Sequence, residues 1–132
     1  MINVLVVEDE RDIRELLVLE LENKGYQVRD ADSGETAMQR VREQTPDIMF
    51  VDLMMPVMDG FDLISNLRED PSTSGIPVVL VTALHPHETR GQPRRLGVEH
   101  HLTKPWKPWA LDCILEKVLR TGGGGTGGAV RY

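Results

Sequence analysis

The sequence predicts an α/β fold in which a doubly wound parallel sheet of five strands carries helices on both faces. Short apolar runs that suit buried strands alternate along the chain with amphipathic segments that suit helices. Right-handed crossovers between parallel strands place the connecting helices on both faces of such a sheet. Glycine and proline separate the segments. We therefore expect five strands and five helices, of which the fourth helix is irregular.

Three strands and two helices are predicted in the first half of the chain. Gly25 follows the first helix, where glycine commonly ends helices, and Ser33 is placed to cap the second. The third strand is a continuous apolar run that ends on Asp52, which is typical of a fully buried strand. The strands are expected at residues 2–7, 26–29 and 48–52, and the helices at residues 12–24 and from Ser33 to Thr45.

The second half of the chain predicts two more strands and three more helices. Asp59 is placed to cap the helix that follows the third strand. The strands are expected at residues 76–81 and 98–102, and the regular helices at residues 59–70 and 107–120.

The fourth helix is expected between His85 and Leu96, but its residues oppose a continuous helix. Pro86 suits a first helical turn, whereas Gly91 and Pro93 fall in the interior. A proline in a helix interior costs about 3 kcal/mol and a glycine about 1 kcal/mol relative to alanine. We expect either a break near Gly91 or a loop followed by one turn from Pro93.

The length of the chain, 132 residues, suits one domain. Residues 1–120 hold all the predicted elements, and the glycine-rich residues 121–132 are typical of a flexible tail or linker. Cys113 is the sole cysteine, which excludes an internal disulfide and indicates a small hydrophobe at the core boundary.

The charge balance of the chain excludes several classes of partner. Its net charge is −6, from 15 basic and 21 acidic residues, which opposes a nucleic-acid surface and an anionic membrane. No apolar run approaches the roughly 20 residues of a membrane span, and no signal-type segment precedes the first strand. We expect a cytoplasmic protein that binds neither nucleic acid nor membranes directly.

Charged and polar residues end four of the predicted strands. Glu8 and Asp9 follow the first, Asp52 ends the third, Thr82 follows the fourth and Lys104 follows the fifth. The carboxyl ends of neighbouring parallel strands meet at one edge of the sheet, so these side chains should converge. Three carboxylates and one ammonium leave a formal charge of −2, which a divalent cation would neutralise.

The residue types at these strand ends suit phosphoryl chemistry. Carboxylate oxygens without histidine or cysteine are ligands that Mg²⁺ prefers. Asp52 is a candidate nucleophile toward phosphorus, because a carboxylate can form an aspartyl phosphate. Lys104 and the Thr82 hydroxyl would then hold the oxygens of the transferred phosphoryl group.

The chain closely resembles the receiver domain of two-component response regulators, of the chemotaxis-regulator type, over residues 2–120. Four segments carry the resemblance, in order and at the family's intervals: Val6–Glu10, Asp52–Gly60, Val81–Ala83 and Leu102–Pro105. The resemblance implies a flavodoxin-like fold with strand order 2-1-3-4-5. It also implies a cis peptide bond between Lys104 and Pro105, at the kind of bond where a cis form is tolerated.

The resemblance further implies a function for the site. Asp52 would accept a phosphoryl group from a sensor histidine kinase or a phosphotransfer protein. Mg²⁺ would be held by four residues: Glu8, Asp9, Asp52 and Met54, the last through its backbone carbonyl. The phosphorylated domain would act on a downstream effector domain or protein, and a homodimer is one arrangement of the active state. Such a domain is a signalling switch with slow autodephosphorylation and turns over no metabolite.

One position departs from the family's pattern. The family carries tyrosine or phenylalanine three residues before its lysine, and that ring moves inward on phosphorylation, together with the residue that matches Thr82. This chain has His101 there. We hypothesise that His101 replaces the aromatic switch, which would couple switching to pH because a neutral imidazole is cheaper to bury than a charged one. The alternative is a partly exposed histidine without a switching function.

Three other functions fit the predicted fold. An aspartyl-phosphate phosphatase of the haloacid dehalogenase type needs a second acid two residues after the nucleophile, where this chain has Met54. A flavodoxin-like cofactor binder needs a loop rich in serine, threonine and glycine after the first strand, which is absent from the sequence. A phosphate-independent interaction module would fold in the same way and ignore Mg²⁺.

Overall fold

The computed structural model describes residues 1–83, 95–120 and 130–131. Within these ranges the chain forms a parallel sheet of six strands in the order β2-β1-β3-β4-β5-β6, together with four helices. The strands are β1 (Asn3–Val7), β2 (Gln27–Ala31), β3 (Ile48–Asp52), β4 (Val78–Thr82), β5 (His100–Thr103) and β6 (Val130–Arg131). The helices are α1 (Arg11–Asn23), α2 (Gly34–Glu43), α3 (Gly60–Glu69) and α4 (Pro108–Arg120).

Two hydrophobic clusters cover the two faces of the sheet. Alternate residues of one strand point to opposite faces, so Met49 of β3 belongs to one cluster and its neighbour Phe50 to the other. The first cluster includes residues of α2 and α3, and the second includes residues of α1 and α4. The predicted doubly wound architecture is therefore confirmed.

The predicted helix caps are also present. The Ser33 hydroxyl accepts a hydrogen bond from the Thr36 N–H at 3.1 Å. Asp59 accepts from the Asp62 N–H, and Asp62 accepts in return from the Asp59 N–H, which completes a capping box at the start of α3. Gly25 follows α1 with a φ of 95°, a conformation that glycine adopts without steric cost.

The second half of the chain carries one strand beyond the expected five. The predicted five-stranded sheet with the order 2-1-3-4-5 is confirmed, and Val130–Arg131 adds a sixth strand by pairing with the outer edge of β5. The glycine-rich composition of the tail opposes a second core, yet it does not prevent two residues from pairing with a strand edge through their backbone. The irregular helix expected between His85 and Leu96 falls almost wholly on residues 84–94, outside the described ranges.

No helix among residues 1–83 and 95–120 is both long and apolar enough to cross a membrane.

Candidate functional site

Asp52 stands at the end of a strand that is buried along its whole length. All five residues of β3 are buried, and Asp52 itself is only 2% exposed. The Met54 N–H donates to Asp52 Oδ1 at 3.1 Å, so the turn that follows β3 holds one carboxylate oxygen in place. β3 lies between β1 and β4, which explains why this carboxyl group is at the centre of the sheet's carboxyl edge.

Gly60 lets α3 begin directly against the backbone that carries Asp52. A Cβ atom at residue 60 would lie 2.6 Å from the Asp52 carbonyl oxygen and 2.8 Å from Leu53 Cα. The Gly60 N–H donates to the Leu53 carbonyl at 2.9 Å across the same contact. Only glycine fits this approach without displacing the end of β3.

Glu8 and Asp9 follow β1 and reach the same point. Carboxylate oxygens of Glu8, Asp9 and Asp52 all lie within 4.8 Å of one another. Glu8 is 2% exposed, and its Oε2 accepts a hydrogen bond from the Glu10 N–H at 3.2 Å. The predicted convergence of three carboxylates from two strand ends is therefore present in the structure.

Lys104 supplies the positive charge of the cluster. Its Nζ lies 2.5 Å from Glu8 Oε1 and 3.4 Å from Asp52 Oδ1. The peptide bond between Lys104 and Pro105 is cis, as the resemblance implies. The Lys104 N–H donates to the Thr82 carbonyl at 2.9 Å, so the end of β5 is held against the end of β4.

Thr82 and His101 are both buried near this edge. Thr82 ends β4 at 0% exposure, one residue beyond Val81, which pairs with Asp52 across the two strands. His101 lies on β5 opposite Leu80 and is 7% exposed. The alternative of a partly exposed histidine is therefore wrong, while the switching function of His101 stays a prediction.

The negative charge of the cluster changes how its members ionise. Burial raises the pKa of Asp52 to about 8, helped by the hydrogen bond and the charge of Glu8 and opposed by Lys104. Burial lowers the pKa of Lys104, but the hydrogen bond to Glu8 and the charge of Asp52 outweigh it, and the pKa is raised overall. A proton shared in this cluster therefore offsets part of the repulsion among the carboxylates.

The donor set fits a hard divalent cation. All three acidic side chains offer oxygen, and Asp9 Oδ1 is buried without a hydrogen-bond donor among the described residues. A cation bound there would provide the missing partner and displace the proton that Asp52 retains because its pKa is raised. Mg²⁺ matches these ligands, since it favours one or two carboxylates together with water and phosphate oxygens.

Arg14 is a part of the site that the sequence analysis missed. Its Nη1 donates to the Glu8 carbonyl at 2.9 Å, and its Nε lies 3.3 Å from Asp30 Oδ2. Arg14 thereby ties the acidic turn after β1 to the end of β2. No local pattern singles out Arg14 in the sequence, because its contact with Asp30 depends on the pairing of β2 with β1.

Comparison with known proteins decides the family. The sequence model of the response regulator receiver domain matches residues 4–116. The chain belongs to this family. The receiver domain is 35% identical over 117 residues to the phosphate regulon transcriptional regulatory protein PhoB of Escherichia coli K12, a match that covers 89% of this chain and 51% of PhoB. It thus spans about half the length of the curated relatives it matches.

Solved structures agree with this assignment. Chemotaxis protein CheY4 of Vibrio cholerae superposes on the receiver domain with a TM-score of 0.84 and 29% identity, covering 89% of this chain and 98% of CheY4. A sensor protein from Polaromonas sp. JS666 superposes with a TM-score of 0.85 and 31% identity, covering 92% of this chain and 98% of that protein. These matches confirm the flavodoxin-like fold with strand order 2-1-3-4-5 that the resemblance implies.

Proposed function

We propose that this receiver domain accepts a phosphoryl group on Asp52 from a histidine kinase or a phosphotransfer protein and so switches a partner or an effector domain. One observation carries the proposal: the carboxylates of Glu8, Asp9 and Asp52 meet within 4.8 Å, with the Lys104 ammonium beside them. Glu8 and Asp52 are each only 2% exposed. Acidic side chains that merely ended strands in contact with solvent would not be buried in this way.

The transfer step uses the Asp52 carboxylate as nucleophile. A carboxylate oxygen attacks the phosphorus of a phosphohistidine, a P–O bond forms as the P–N bond breaks, and the departing imidazole nitrogen takes a proton from solvent. Glu8, Asp9, Asp52 and the Met54 carbonyl would hold Mg²⁺, which when bound neutralises charge on the phosphoryl oxygens. Because the metal-free carboxyl holds a proton up to about pH 8, Asp52 must lose that proton before it can attack.

Lys104 and Thr82 would receive the transferred group. Lys104 Nζ is 3.4 Å from Asp52 Oδ1, so a small movement away from Glu8 brings it to a phosphoryl oxygen. Thr82 ends the neighbouring strand, and its hydroxyl can donate to another phosphoryl oxygen. His101, buried on the next strand, would change its position together with Thr82 and carry the signal toward the outer strands.

The phosphorylated state of Asp52 would be long-lived. Met54 offers no acid or base two residues after Asp52, so an attacking water would be poorly activated and autodephosphorylation would be slow. An effector domain is one recipient of the signal, since PhoB is about twice as long as the matched region and is named as a transcriptional regulator. A separate partner protein, a homodimer and a cytoplasmic location stay predictions from the sequence.

Intact mass spectrometry tests the proposal. The protein is incubated with acetyl phosphate, with and without Mg²⁺, beside Asp52→Asn and Asp62→Asn. Asp62 is an exposed carboxylate whose Oδ2 accepts a hydrogen bond from the Asp59 N–H at the start of α3, so it is a matched control outside the site. We expect one phosphoryl adduct that requires Mg²⁺, persists in Asp62→Asn and disappears in Asp52→Asn. An adduct that survives in Asp52→Asn would contradict the proposal.

The switching function of His101 needs its own measurement. We expect the imidazole NMR signals of His101 to shift when the Mg²⁺-loaded protein binds beryllofluoride, a stable mimic of the phosphoryl group, and the shift to depend on pH. His100 on the same strand is the matched control, because its side chain points to the opposite face of the sheet. Signals of His101 that stay unchanged by the mimic would exclude the switch.

A further inference from the structure

The outer edge of β5 is covered by the chain's own C-terminal strand. β6 (Val130–Arg131) runs parallel to β5, with Val130 opposite His100 and Arg131 opposite His101. Without β6, β5 would be the last strand on this side of the sheet. An edge strand exposes backbone groups that another extended segment can pair with. β6 therefore occupies the position at which strand addition from outside would occur.

The backbone direction of β5 identifies the amide that faces β6. The Lys104 N–H donates to the Thr82 carbonyl and so points inward to β4. Residues of a strand present their backbone groups alternately to the two sides, so the Leu102 N–H also points to β4 and the His101 N–H points to the outer edge. In the observed register the Val130 carbonyl is the acceptor for the His101 N–H.

The path of the chain allows this pairing within one molecule. Parallel strands need a crossover connection, and α4 supplies it between β5 and β6. Helix α4 returns the chain toward the level at which β5 begins. The nine residues 121–129 can span up to about 30 Å when extended, which exceeds the spacing of about 10 Å between packed layers.

We propose that the outer edge of β5 is a strand-addition site whose resident occupant is this chain's own Val130–Arg131 segment. A pairing of two residues is weak alone, but a covalent connection of only nine residues to α4 holds the segment at an effective concentration in the millimolar range. The bound segment keeps other extended segments off the edge and restrains the backbone of His101. The proposal is independent of phosphotransfer, and its test uses the unphosphorylated protein.

Amide hydrogen exchange measured by NMR on the full chain tests this site. The variants are Val130→Pro, which puts a ring where the backbone must approach β5, and Val130→Ala, the matched control that keeps the backbone N–H. We expect Val130→Pro to speed exchange of the His101 amide about fivefold, the effect of losing one backbone hydrogen bond. Val130→Ala should leave that rate unchanged. The Leu102 and Lys104 amides, which point to β4, should exchange at the same rate in all chains.

A truncated variant that lacks residues 130–132 should speed exchange of the His101 amide as much as Val130→Pro does. Equal exchange of the His101 amide in the full chain and in both disrupted variants would overturn the proposal. Faster exchange at Leu102 and Lys104 as well would contradict a site confined to the outer edge. Protection of His101 that increases with protein concentration, together with a dimer in sedimentation, would show that a second copy donates the strand and would overturn the assignment to the same molecule.

Discussion

Lys104 lies closer to Glu8 than to Asp52, with Nζ 2.5 Å from Glu8 Oε1 and 3.4 Å from Asp52 Oδ1. In the metal-free protein Glu8 therefore competes with Asp52 for the ammonium group and also repels the Asp52 carboxylate. After burial, the hydrogen bond to Glu8 and the charge of Glu8 are the causes that raise the pKa of Asp52.

Glu8→Gln should lower the pKa of Asp52 from about 8, because the substitution removes the repulsion and lets Lys104 pair with Asp52. Carbon NMR titration of the Asp52 carboxyl group measures this directly. Asp62→Asn is the control, because this exposed carboxylate lies outside the acidic cluster. A pKa that is unchanged in Glu8→Gln would contradict the described electrostatics.

Asp52→Asn should stabilise the Mg²⁺-free protein, and more so as the pH rises. The folded chain keeps the Asp52 proton until about pH 8, whereas the unfolded chain loses it near pH 3.8. Between these values the folded state holds the extra proton, so each rise in pH lowers the wild-type free energy of unfolding. The difference between Asp52→Asn and wild type should therefore grow from pH 4 and level off above about pH 8.

Urea denaturation at several pH values measures that difference, with EDTA present. When Mg²⁺ replaces EDTA, the wild type should become the more stable of the two proteins. The cation binds the ionised Asp52 carboxylate of the wild type and stabilises only the folded state. A constant difference across this pH range would show that Asp52 ionises at its ordinary value.

Gly60→Ala should destabilise the protein by about 2 kcal/mol and weaken Mg²⁺ binding, because the new methyl group forces the backbone of Asp52 and Leu53 to move. Gly75→Ala is the control, since a Cβ atom there meets no heavy atom within 4 Å. That substitution should change the free energy of unfolding by less than about 1 kcal/mol. Urea denaturation and isothermal titration with Mg²⁺ distinguish the two variants. Wild-type Mg²⁺ affinity in Gly60→Ala would refute the close-approach argument.

Val57→Asn should stabilise the protein by about 1 kcal/mol. Val57 has a φ of 69°, a left-handed conformation that costs a β-branched residue about 1 to 2 kcal/mol and asparagine less. Its side chain is 97% exposed, so the substitution removes almost no packing. Val57→Ile keeps the β-branch and should give no gain in thermal denaturation. An equal free energy of unfolding for Val57→Asn and wild type would show that the loop stores no strain at this residue.

The fold and the positions of the site residues could be predicted because both depend on where the strands end in the sequence. Asp52 terminates a run that only a buried strand suits, and parallel strands bring their carboxyl ends to one edge. Glu8, Asp9 and Lys104 then had to lie near it, whatever the details of the loops. The caps at Ser33 and Asp59 were also local, since each needs only its own helix.

Other features depend on contacts between distant residues and could not be predicted. Leu16 follows Ile13 by three residues, a helical spacing that favours burial, yet it is 48% exposed, because the core covers only a narrow stripe of α1. The closer approach of Lys104 to Glu8 depends on side-chain positions across three strands. The pairing of β6 with β5 depends on a free strand edge, which no local pattern in the tail reveals.

Asp52 is the residue that we propose accepts the phosphoryl group. The most direct test phosphorylates the protein with acetyl phosphate and Mg²⁺, denatures it, reduces it with borohydride and sequences its peptides by mass spectrometry. Borohydride converts an aspartyl phosphate to homoserine and leaves free carboxylates intact. We predict homoserine at residue 52, with Glu8, Asp9 and Asp59 unchanged. Homoserine at another acidic residue, with Asp52 intact, would show that Asp52 is not the phosphoryl acceptor.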